Sequence, residues 1–385
     1  MDRRKFFVSS AALAAGGLTG VGAARAAGSD TKAEEPRIKN FRPLFKGGPK
    51  VSDISFGGTR IHYPEVLDYA INLGINFVHT GPGYANGNSI VAFGKVMKTR
   101  RKDVILGMKW GHARKKAQLM KVLDDSLKTL NTDHIDALFS NGNEGIEGIK
   151  ESEMFEAFEL AKEQGKASYH GLFCHDKRME EVVEYAIGLE KFQCMTLAVN
   201  FMRYPRQPEI FKQAAAKGIG IIAMKARGGA EKMDLTPYQG EGVTQAQVGY
   251  KWAISQPTVS CVLASVSSFD EAREYVGASG QPIRKADREM MEKYRNLAEK
   301  TYCRIACGEC VPGCPGQVDI PTVMRYAMYY ENYGIQGDAM RKYARLGKNK
   351  QAAACDSCSA PCESRCPYGL PVKDKLITAH KLLTV

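Results

Sequence analysis

The sequence predicts an α/β protein in which a closed (β/α)8 barrel is followed by a small helical module. Two observations predict this arrangement. Short segments rich in β-branched residues alternate regularly with amphipathic segments over most of the chain, and eight cysteines are concentrated near its C-terminus. Eight strand-helix repeats suit a barrel, because each repeat is one unit of that fold. A doubly wound open sheet is the alternative, but the turn after the first strand lacks the G-x-G-x-x-G pattern that cradles a dinucleotide phosphate.

The expected strands and helices follow one another in regular order along residues 46–300, which we assign to the barrel. Apolar residues recur at helical spacing in the expected helices. With 44% hydrophobic residues among 385, the chain has enough apolar material for one large core and a smaller module. The expected strands are 51–56, 75–80, 104–110, 135–140, 167–173, 194–199, 220–225 and 261–265. The clearest expected helices are 115–130, 151–164, 179–189, 244–254 and 284–301.

The eight cysteines near the C-terminus form two short runs, each followed by a proline. The runs are Cys303, Cys307, Cys310 and Cys314, then Cys355, Cys358, Cys362 and Cys366. This spacing is typical of the ligands of two [4Fe-4S] clusters, since each thiolate can bind one corner iron. If ligation crosses between the runs, Cys366 completes the first set and Cys314 completes the second. Two tetrahedral zinc sites or four disulfides are alternative uses of the same residues.

Residues 301–385 combine the cysteine runs with two expected helices, 320–333 and 339–346. This combination resembles the α-helical ferredoxin modules of respiratory enzymes, and we assign it as a ferredoxin-like domain with two [4Fe-4S] clusters. The resemblance implies electron exchange with a carrier such as a quinol, a cytochrome or another redox protein. A basic stretch is a candidate docking edge for that carrier, although a solvated helix face is the plainer interpretation. Its members are Arg341, Lys342, Arg345, Lys348 and Lys350.

Residues 1–27 resemble a twin-arginine export signal. Arg3 and Arg4 precede a weakly apolar stretch rich in Ala and Gly, and small residues offer a cleavage site. We expect cleavage near Ala26 or Ala27, followed by a linker at residues 28–45. An uncleaved tail or a retained anchor is the alternative. The apolar stretch is too short and too glycine-rich for a stable membrane span, so we expect no span in the mature form.

The predicted export signal at the N-terminus and the predicted clusters near the C-terminus are consistent with each other. Iron-sulfur clusters are assembled in the cytoplasm, and the twin-arginine route carries proteins that are already folded. We therefore expect the twin-arginine translocase as a partner and the periplasm as the location. The net charge of +12 does not indicate a nucleic-acid partner, because the basic residues are scattered without interleaved aromatic residues.

Polar residues stand at the ends of the expected strands, where a (β/α)8 barrel places its chemistry. Residues 75–84 read INFVHTGPGY, residues 105–109 read ILGMK and residues 220–225 read GIIAMK. The first segment resembles the second-strand motif of the aldo-keto reductase superfamily, and the other two extend that resemblance, which covers residues 46–278. The resemblance implies a barrel that reduces a small carbonyl-type substrate.

The same resemblance implies four catalytic positions, of which two are changed. Tyr84 stands where the family has the tyrosine that donates a proton to the carbonyl, and Lys109 stands where it has the lysine that lowers the tyrosine pKa. His79 replaces the family's aspartate, and Asn141 replaces its histidine. Beside a neutral His79, the Lys109 amine would be less stabilised, which would lower its pKa.

The cofactor side of the pattern is also changed, so binding of NADP(H) is doubtful. Asn200 and Lys225 are candidate binding residues at strand ends. However, Phe173 replaces a hydroxyl residue near the expected nicotinamide, and residues 265–271, SVSSFDE, offer no lysine or arginine to a 2′-phosphate. An exported reductase would also lack a renewable supply of soluble nicotinamide nucleotide.

The sequence therefore predicts an exported iron-sulfur oxidoreductase whose two clusters exchange electrons with a small organic substrate. A non-catalytic electron-transfer or assembly subunit with a degenerate barrel is the alternative. His112 and His175, just beyond strand ends, are further acid-base candidates. Cys174, Cys194 and Cys261 have no partner spacing and are expected to be small buried residues.

Overall fold

The computed structural model of the chain describes residues 35–176, 178–202, 207–228, 244–298, 303–304 and 307–384. The expected signal at residues 1–27 and its cleavage site lie outside the described residues. Residues 35–385 belong to one compact unit. None of the described helices is both long enough and apolar enough to span a membrane.

Eight parallel strands close into a barrel, and the last strand pairs with the first. The predicted (β/α)8 barrel is therefore confirmed, and the open doubly wound sheet is wrong. Because the strands are parallel, the segments that follow them meet at one rim. The strands are β1 Ile54–Gly57, β2 Phe77–Thr80, β3 Ile105–Lys109, β4 Ile135–Asn141, β5 Ala167–Cys174, β6 Cys194–Ala198, β7 Gly220–Met224 and β8 Val259–Ser265.

The expected first strand, residues 51–56, is divided into two parts. Lys50–Ser52 pairs antiparallel with Phe41–Pro43 in a hairpin, and the barrel strand starts only at Ile54. Residues 41–43, which were expected to belong to the linker, therefore form a strand.

Asp53 stands at the point of division and explains it. Its side chain is fully buried, and its carboxylate accepts hydrogen bonds from the Ser279 hydroxyl (2.6 Å) and the Gly280 amide (2.9 Å). A buried carboxylate is stable only with such partners. These bonds hold the chain where it passes from the hairpin into the barrel.

Amphipathic helices surround the strands, and their apolar faces pack inward. In the helix of residues 116–130 the buried side chains recur three or four positions apart, as one helix face requires. The expected helix 151–164 is shorter, with a separate helix before it. The helices are α1 Pro64–Asn72, α2 Asn88–Arg100, α3 Lys116–Leu130, α4 Gly145–Lys150, α5 Met154–Glu163, α6 Met179–Gly188, α7 Gln207–Ala216, α8 Gln245–Ser255, α9 Phe269–Val276 and α10 Lys285–Ala298.

The inside of the barrel is filled by apolar side chains from several strands, including Phe77, Phe139, Cys194, Ile222 and Cys261. Burial raises the pKa of the thiols of both cysteines above the ordinary range, so these groups are protonated and inert.

The cysteine-rich segment contributes helices α11 (Ile320–Glu331), α12 (Gln336–Ala344) and α13 (Val372–Leu383). The Tyr343 hydroxyl connects this segment internally. It lies 2.6 Å from His380 Nδ1 on α13 and accepts a hydrogen bond from the Ala352 amide at 2.9 Å. The cysteine runs lie in loops and short turns before α11 and between α12 and α13.

Candidate functional site: barrel mouth and cysteine cavity

Three of the four expected catalytic residues lie together at the rim of the barrel, which we call the barrel mouth. His79 on β2 is 0% exposed and Lys109 at the end of β3 is 8% exposed. The half-buried Tyr84 begins a short turn, Tyr84–Gly87, in which two residues other than glycine have positive φ. Such backbone is costly, and it is commonly retained near functional sites. The Tyr84 ring lies 5.8 Å from the His79 ring, centroid to centroid.

Phe173 packs against both His79 and Lys109. Its ring stacks on His79 at 5.7 Å with an interplanar angle of 18°, and Lys109 Nζ lies 4.8 Å from its centroid. Phe139 contacts His79 edge-on at 5.1 Å. Aromatic rings thus enclose His79, and within the described part of the chain neither of its ring nitrogens has a hydrogen-bond partner.

Burial controls the protonation of His79 and Lys109. Burial, followed by the charge of Lys109, lowers the pKa of His79 to about 3, so the imidazole is neutral at neutral pH. Burial, followed by the nearby charges of Lys342, Arg325 and Lys225, lowers the pKa of Lys109 to about 8. The lowered Lys109 pKa has the expected direction, but its causes are burial and like charge rather than the neighbouring imidazole.

Tyr84 differs from the expectation that a lysine lowers its pKa. Burial raises the pKa of the Tyr84 phenol well above its ordinary value, and the nearby Tyr329 raises it further. Desolvation is the dominant cause because the phenolate would lose its hydration. The phenol therefore keeps its proton at neutral pH.

Asn141 lies at the rim with different neighbours. Its side-chain amide donates to His112 Nδ1 at 3.0 Å and to Glu144 Oε1 at 3.4 Å. Glu144 also forms an ion pair with Arg114, and His112 is exposed. These residues line a shallow cavity beside Trp110. Asn141, the expected fourth catalytic residue, therefore forms its hydrogen bonds within a separate polar cluster.

Asn200 and Lys225 are joined to each other. Asn200 is 1% exposed, donates from its amide to the Lys225 carbonyl at 3.2 Å and accepts from the Met202 amide at 3.0 Å. Lys225 follows β7 and has a φ of 55°, which is unusual for a residue with a side chain. Asn200 therefore supports the backbone conformation from which the Lys225 side chain extends.

Helix α11 of the cysteine-rich segment contacts the barrel mouth. Lys225 Nζ donates to the Tyr329 hydroxyl at 3.2 Å, and Arg325 donates to the His175 carbonyl at 2.8 Å. Burial, followed by the charges of Lys225 and Arg325, lowers the pKa of His175 well below its ordinary value. His175 is therefore neutral beside two cations, and Arg325 and Tyr329 are site residues that the sequence did not indicate.

Part of the expected docking edge also faces the barrel. Lys342 on α12 lies 5.5 Å from the centroid of the Tyr329 ring and pairs with Asp338. Arg341 donates to Asn86 Oδ1 at 2.7 Å, in the turn that carries Tyr84. Arg341 therefore belongs to the contact between the helical segment and the barrel, and the charge of Lys342 acts on Lys109 at the mouth.

The loop after β8 and the helix α9 that follows it contact arginines from other parts of the chain. Arg60 donates to Ser267 at 3.0 Å and pairs with Glu271 at 2.9 Å, and Arg227 donates to the Tyr275 hydroxyl at 3.3 Å. The sequence indicated no cation within the loop, which is correct, but it did not reveal that the fold brings Arg60 to the loop and Arg227 to the following helix. Glu271 offsets the charge of Arg60.

The cysteines of the two runs are mixed in space. Cys303, Cys307, Cys310 and Cys366 line one cavity, which we call the cysteine cavity, together with Ile320, Pro321 and Met324 of α11. Burial, followed by the neighbouring Cys314, Cys362 and Cys358, raises the pKa of the Cys355 thiol to about 11. Each group thus contains one cysteine from the other run.

Arg304 also lines the cysteine cavity. It is 4% exposed, and its guanidinium lies 4.0 Å from the centroid of the Tyr368 ring. A cation beside four thiols is suited to a group that is anionic once the thiols are ionised. Near the second group, the Ala360 amide donates to Cys358 Sγ at 3.4 Å, a type of bond that stabilises negative charge on sulfur.

The structure contains no disulfide among the described cysteines. Among the described residues, no group of three or more His, Cys, Asp or Glu side chains has the geometry to hold a single metal ion. A [4Fe-4S] cluster binds each thiolate at a different iron, so its ligands stand farther apart than those of one ion. The two groups of four cysteines fit such ligands by number, grouping and residue type.

Comparison with known proteins finds similarity over part of the barrel. Residues 59–230 match the model of the Aldo/keto reductase family. An uncharacterized oxidoreductase of Bacillus subtilis is 25% identical over 268 residues, which cover 59% of this chain and 85% of the relative. A probable voltage-gated potassium channel subunit beta of Arabidopsis thaliana is 23% identical over 300 residues, which cover 62% of this chain and 90% of the relative.

Solved structures agree with the family match in fold. An aldo-keto reductase from Bacillus halodurans in its holo form has a TM-score of 0.57 at 23% identity, covering 67% of this chain and 96% of that structure. An aldo-keto reductase from Klebsiella pneumoniae in complex with NADPH has a TM-score of 0.56 at 19% identity, covering 68% and 95%. The closed (β/α)8 barrel of this chain therefore has the fold of these structures.

Proposed function

We propose that this chain is an exported iron-sulfur oxidoreductase of the aldo-keto reductase type, in which two [4Fe-4S] clusters exchange electrons with a small carbonyl-type substrate at the barrel mouth. The observation that carries the proposal is the position of helix α11. Its residues Ile320 and Met324 line the cysteine cavity, and its residues Arg325 and Tyr329 contact the barrel mouth. One helix thus joins the candidate electron store to the candidate substrate site.

The ligand sets are crossed between the runs. Cys303, Cys307, Cys310 and Cys366 would hold one cluster in the C-terminal ferredoxin-like domain, and Cys314, Cys355, Cys358 and Cys362 would hold the other. When bound, such clusters supply or accept electrons one at a time. Crossing also fastens the two runs together, which gives the segment a stable framework around its short helices.

Tyr84 is the proton donor in this proposal. Reduction of a carbonyl to an alcohol by cluster electrons takes two electrons and two protons. The high pKa of Tyr84 keeps the phenol protonated, so it can give one proton to the oxygen, and water supplies the proton for the carbon. Lys109, with a pKa of about 8, is cationic in most molecules at neutral pH and orients the polarised carbonyl oxygen. His79 is neutral and buried, so its free ring nitrogens can exchange hydrogen bonds with the bound substrate.

Electron delivery through clusters is favoured over NADP(H). Phe173 stacks on His79 and contacts Lys109, at the position where the family has a hydroxyl residue for the nicotinamide. In the loop after β8, Glu271 offsets the charge of Arg60. We propose that the electrons come from an exported or membrane-bound carrier such as a quinol or a cytochrome.

Export through the twin-arginine translocase to the periplasm is part of the same proposal. Its support is the Arg3-Arg4 pair before the apolar stretch. Replacing both arginines with lysine should leave the protein in the cytoplasm, as cell fractionation would measure. Unchanged export of this variant would contradict the proposed route.

The cluster assignment has a sharp test. The full chain, matured in cells and purified without oxygen, should contain about eight iron and about eight sulfide per chain. Cys310→Ser and Cys366→Ser should remove the same electron paramagnetic resonance signal, and Cys314→Ser and Cys358→Ser should remove the other. If Cys366→Ser and Cys358→Ser removed the same signal, the crossing would be disproved. Zinc in place of iron would disprove the clusters.

A second candidate is a non-catalytic subunit whose barrel is a scaffold. Two observations favour it: the tetrad is changed at His79 and Asn141, and relatives include probable potassium channel beta subunits. Tyr84→Phe distinguishes the candidates, because it removes only the acidic hydroxyl. If substrate reduction with an artificial electron donor is unchanged in this variant, the barrel mouth is not the catalytic site.

A further inference from the structure

The barrel mouth gathers positive charge from two separate parts of the chain. Lys109 and Lys225 come from the barrel, and Arg325 and Lys342 come from the helical segment. Lys225 Nζ and Lys342 Nζ lie 5.3 Å and 5.5 Å from the centroid of the same Tyr329 ring. The electron-rich faces of the ring attract both cations, so both ammonium groups lie beside the same side chain.

Arg325 is connected to Lys109 through aromatic contacts. Lys109 Nζ lies over Phe173, the Phe173 and His175 rings are 5.8 Å apart, and Arg325 donates to the His175 carbonyl. The pKa of Lys109 is lowered by burial and then by Lys342, Arg325 and Lys225, so all three charges act at the same place. The four cations therefore form one cluster around the mouth.

This positive charge is only partly neutralised. Asp338 pairs with Lys342. In the described part of the chain, no carboxylate forms an ion pair with Lys109 or Arg325. Lys109 is only 8% exposed, so water does little to stabilise its charge. A buried cation is costly unless an anion or several hydrogen bonds accompany it. The site is thus built at a cost in stability that a bound anion would relieve.

His79 points to a ligand at the same place. It is 0% exposed, it lies 5.8 Å from the Tyr84 ring, and both of its nitrogens are without partners among the described residues. Buried polar atoms nearly always have partners in folded proteins. A ligand with oxygen atoms would supply them.

Building on the function proposed above, we infer that the substrate is a small 2-oxo acid, whose carboxylate is held by Arg325 and Lys342 of the helical segment while Lys109 orients the adjacent carbonyl oxygen. The carbonyl beside that carboxylate then faces Tyr84 and His79. The helical segment thereby has a second role, because it completes the substrate site in addition to carrying the cysteines. A nucleotide phosphate is the other anion to consider, but the arginines near the loop after β8, Arg60 and Arg227, offer it a different location.

The test uses pyruvate and its uncharged counterpart pyruvamide, with the full chain in its mature, metal-loaded form. Isothermal titration should detect pyruvate binding that is at least about tenfold tighter than pyruvamide binding, and that weakens as salt rises. Arg325→Gln should weaken pyruvate binding on the order of tenfold and leave pyruvamide unchanged. Arg345→Gln, at an exposed position of the same segment, is the matched control and should change neither.

Each other outcome has a definite meaning. Equal affinity for both compounds, or no binding of either, would overturn the inference. The same holds if NADPH or inorganic phosphate binds with Arg325 dependence and pyruvate does not. The comparison of pyruvate with pyruvamide needs no variant, and Lys342→Gln replaces Arg325→Gln if that variant does not fold. Iron and sulfide assays on the same samples report separately on the proposed function, since charge selectivity at the mouth does not require clusters.

Discussion

Two regions of the barrel bury the same kinds of polar residue in opposite ways. Between the strands and the helices, Lys251 pairs with Asp287 at 3.0 Å, and His170 Nε2 bonds to the Ser140 hydroxyl at 2.8 Å. At the barrel mouth, Lys109 and His79 are similarly buried, but the described residues give Lys109 no carboxylate partner and His79 no hydrogen bond. Buried polar residues that only stabilise the fold therefore have partners within it.

The difference teaches where this protein accepts a cost in stability. Unpaired buried groups destabilise the folded state, and they are retained mainly where a ligand needs them. The mouth can therefore be recognised as a site by its missing partners, before any ligand is known.

Lys251→Met should have the largest effect on stability. It leaves the fully buried Asp287 carboxylate without its cation, which should cost about 3 to 5 kcal/mol. Urea unfolding of the variant and the parent protein measures this loss. Adding Asp287→Leu should restore much of the stability, because no uncompensated charge remains. A single variant as stable as the parent would show that this pair is not a structural partnership.

Lys109→Met should act in the opposite direction. The lysine pKa falls from 10.5 to about 8 on folding, so the unfolded chain binds more protons between these two values. The parent protein therefore bears a penalty of about 3 kcal/mol below pH 8, which disappears as pH rises toward 10.5. The variant should be more stable by that amount at pH 7 and by little near pH 10. Stability measured by urea unfolding across this range checks the prediction, and a constant difference would contradict it.

The two buried histidines should respond differently to substitution. His170→Leu removes a hydrogen bond and leaves the Ser140 hydroxyl unsatisfied, which should cost about 1 to 3 kcal/mol. His79→Phe should be neutral or slightly stabilising, since it replaces nitrogens that lack partners with an apolar ring among aromatic neighbours. Thermal unfolding of both variants gives the comparison, and equal losses would contradict it.

Acid should destabilise the parent protein through the same two residues. The pKa of each imidazole is about 3 in the folded state against 6.5 in the unfolded chain. The unfolded chain therefore takes up protons first, and stability falls as pH drops below 6.5. Each histidine variant should lose part of this acid sensitivity, as unfolding at pH 7 and pH 4.5 would measure. An unchanged difference between the two pH values would disagree.

Arg341→Ala should have the smallest effect. Its hydrogen bond to Asn86 joins the helical segment to the turn that carries Tyr84, but the arginine is exposed. Exposed polar contacts contribute about 0 to 1 kcal/mol. Thermal unfolding should change little, and a large loss would show that this contact holds the segment on the barrel.

Much of the barrel could be predicted from the sequence because its strands are short, regular and β-branched. The ends of β3 and β5 were expected within one residue of where they lie, which placed Lys109 and Phe173 correctly at the rim. The division at Asp53 could not be predicted, because it depends on hydrogen bonds to Ser279 and Gly280, far along the chain. Asn141 was expected in the tetrad, but its neighbours His112 and Glu144 are set by the loop after β4.

The sequence by itself determined the barrel class, the strand ends that carry His79 and Lys109, and the two cysteine runs with their spacing. These features are local, since they depend on periodicity and on residues close together in the chain. Only the tertiary structure decided that Arg325 reaches His175, 150 residues away, and that Lys225 reaches Tyr329, 104 residues away. It also decided the protonation of the site, because burial and charge act through space, and no pattern along the chain reports which groups are desolvated together.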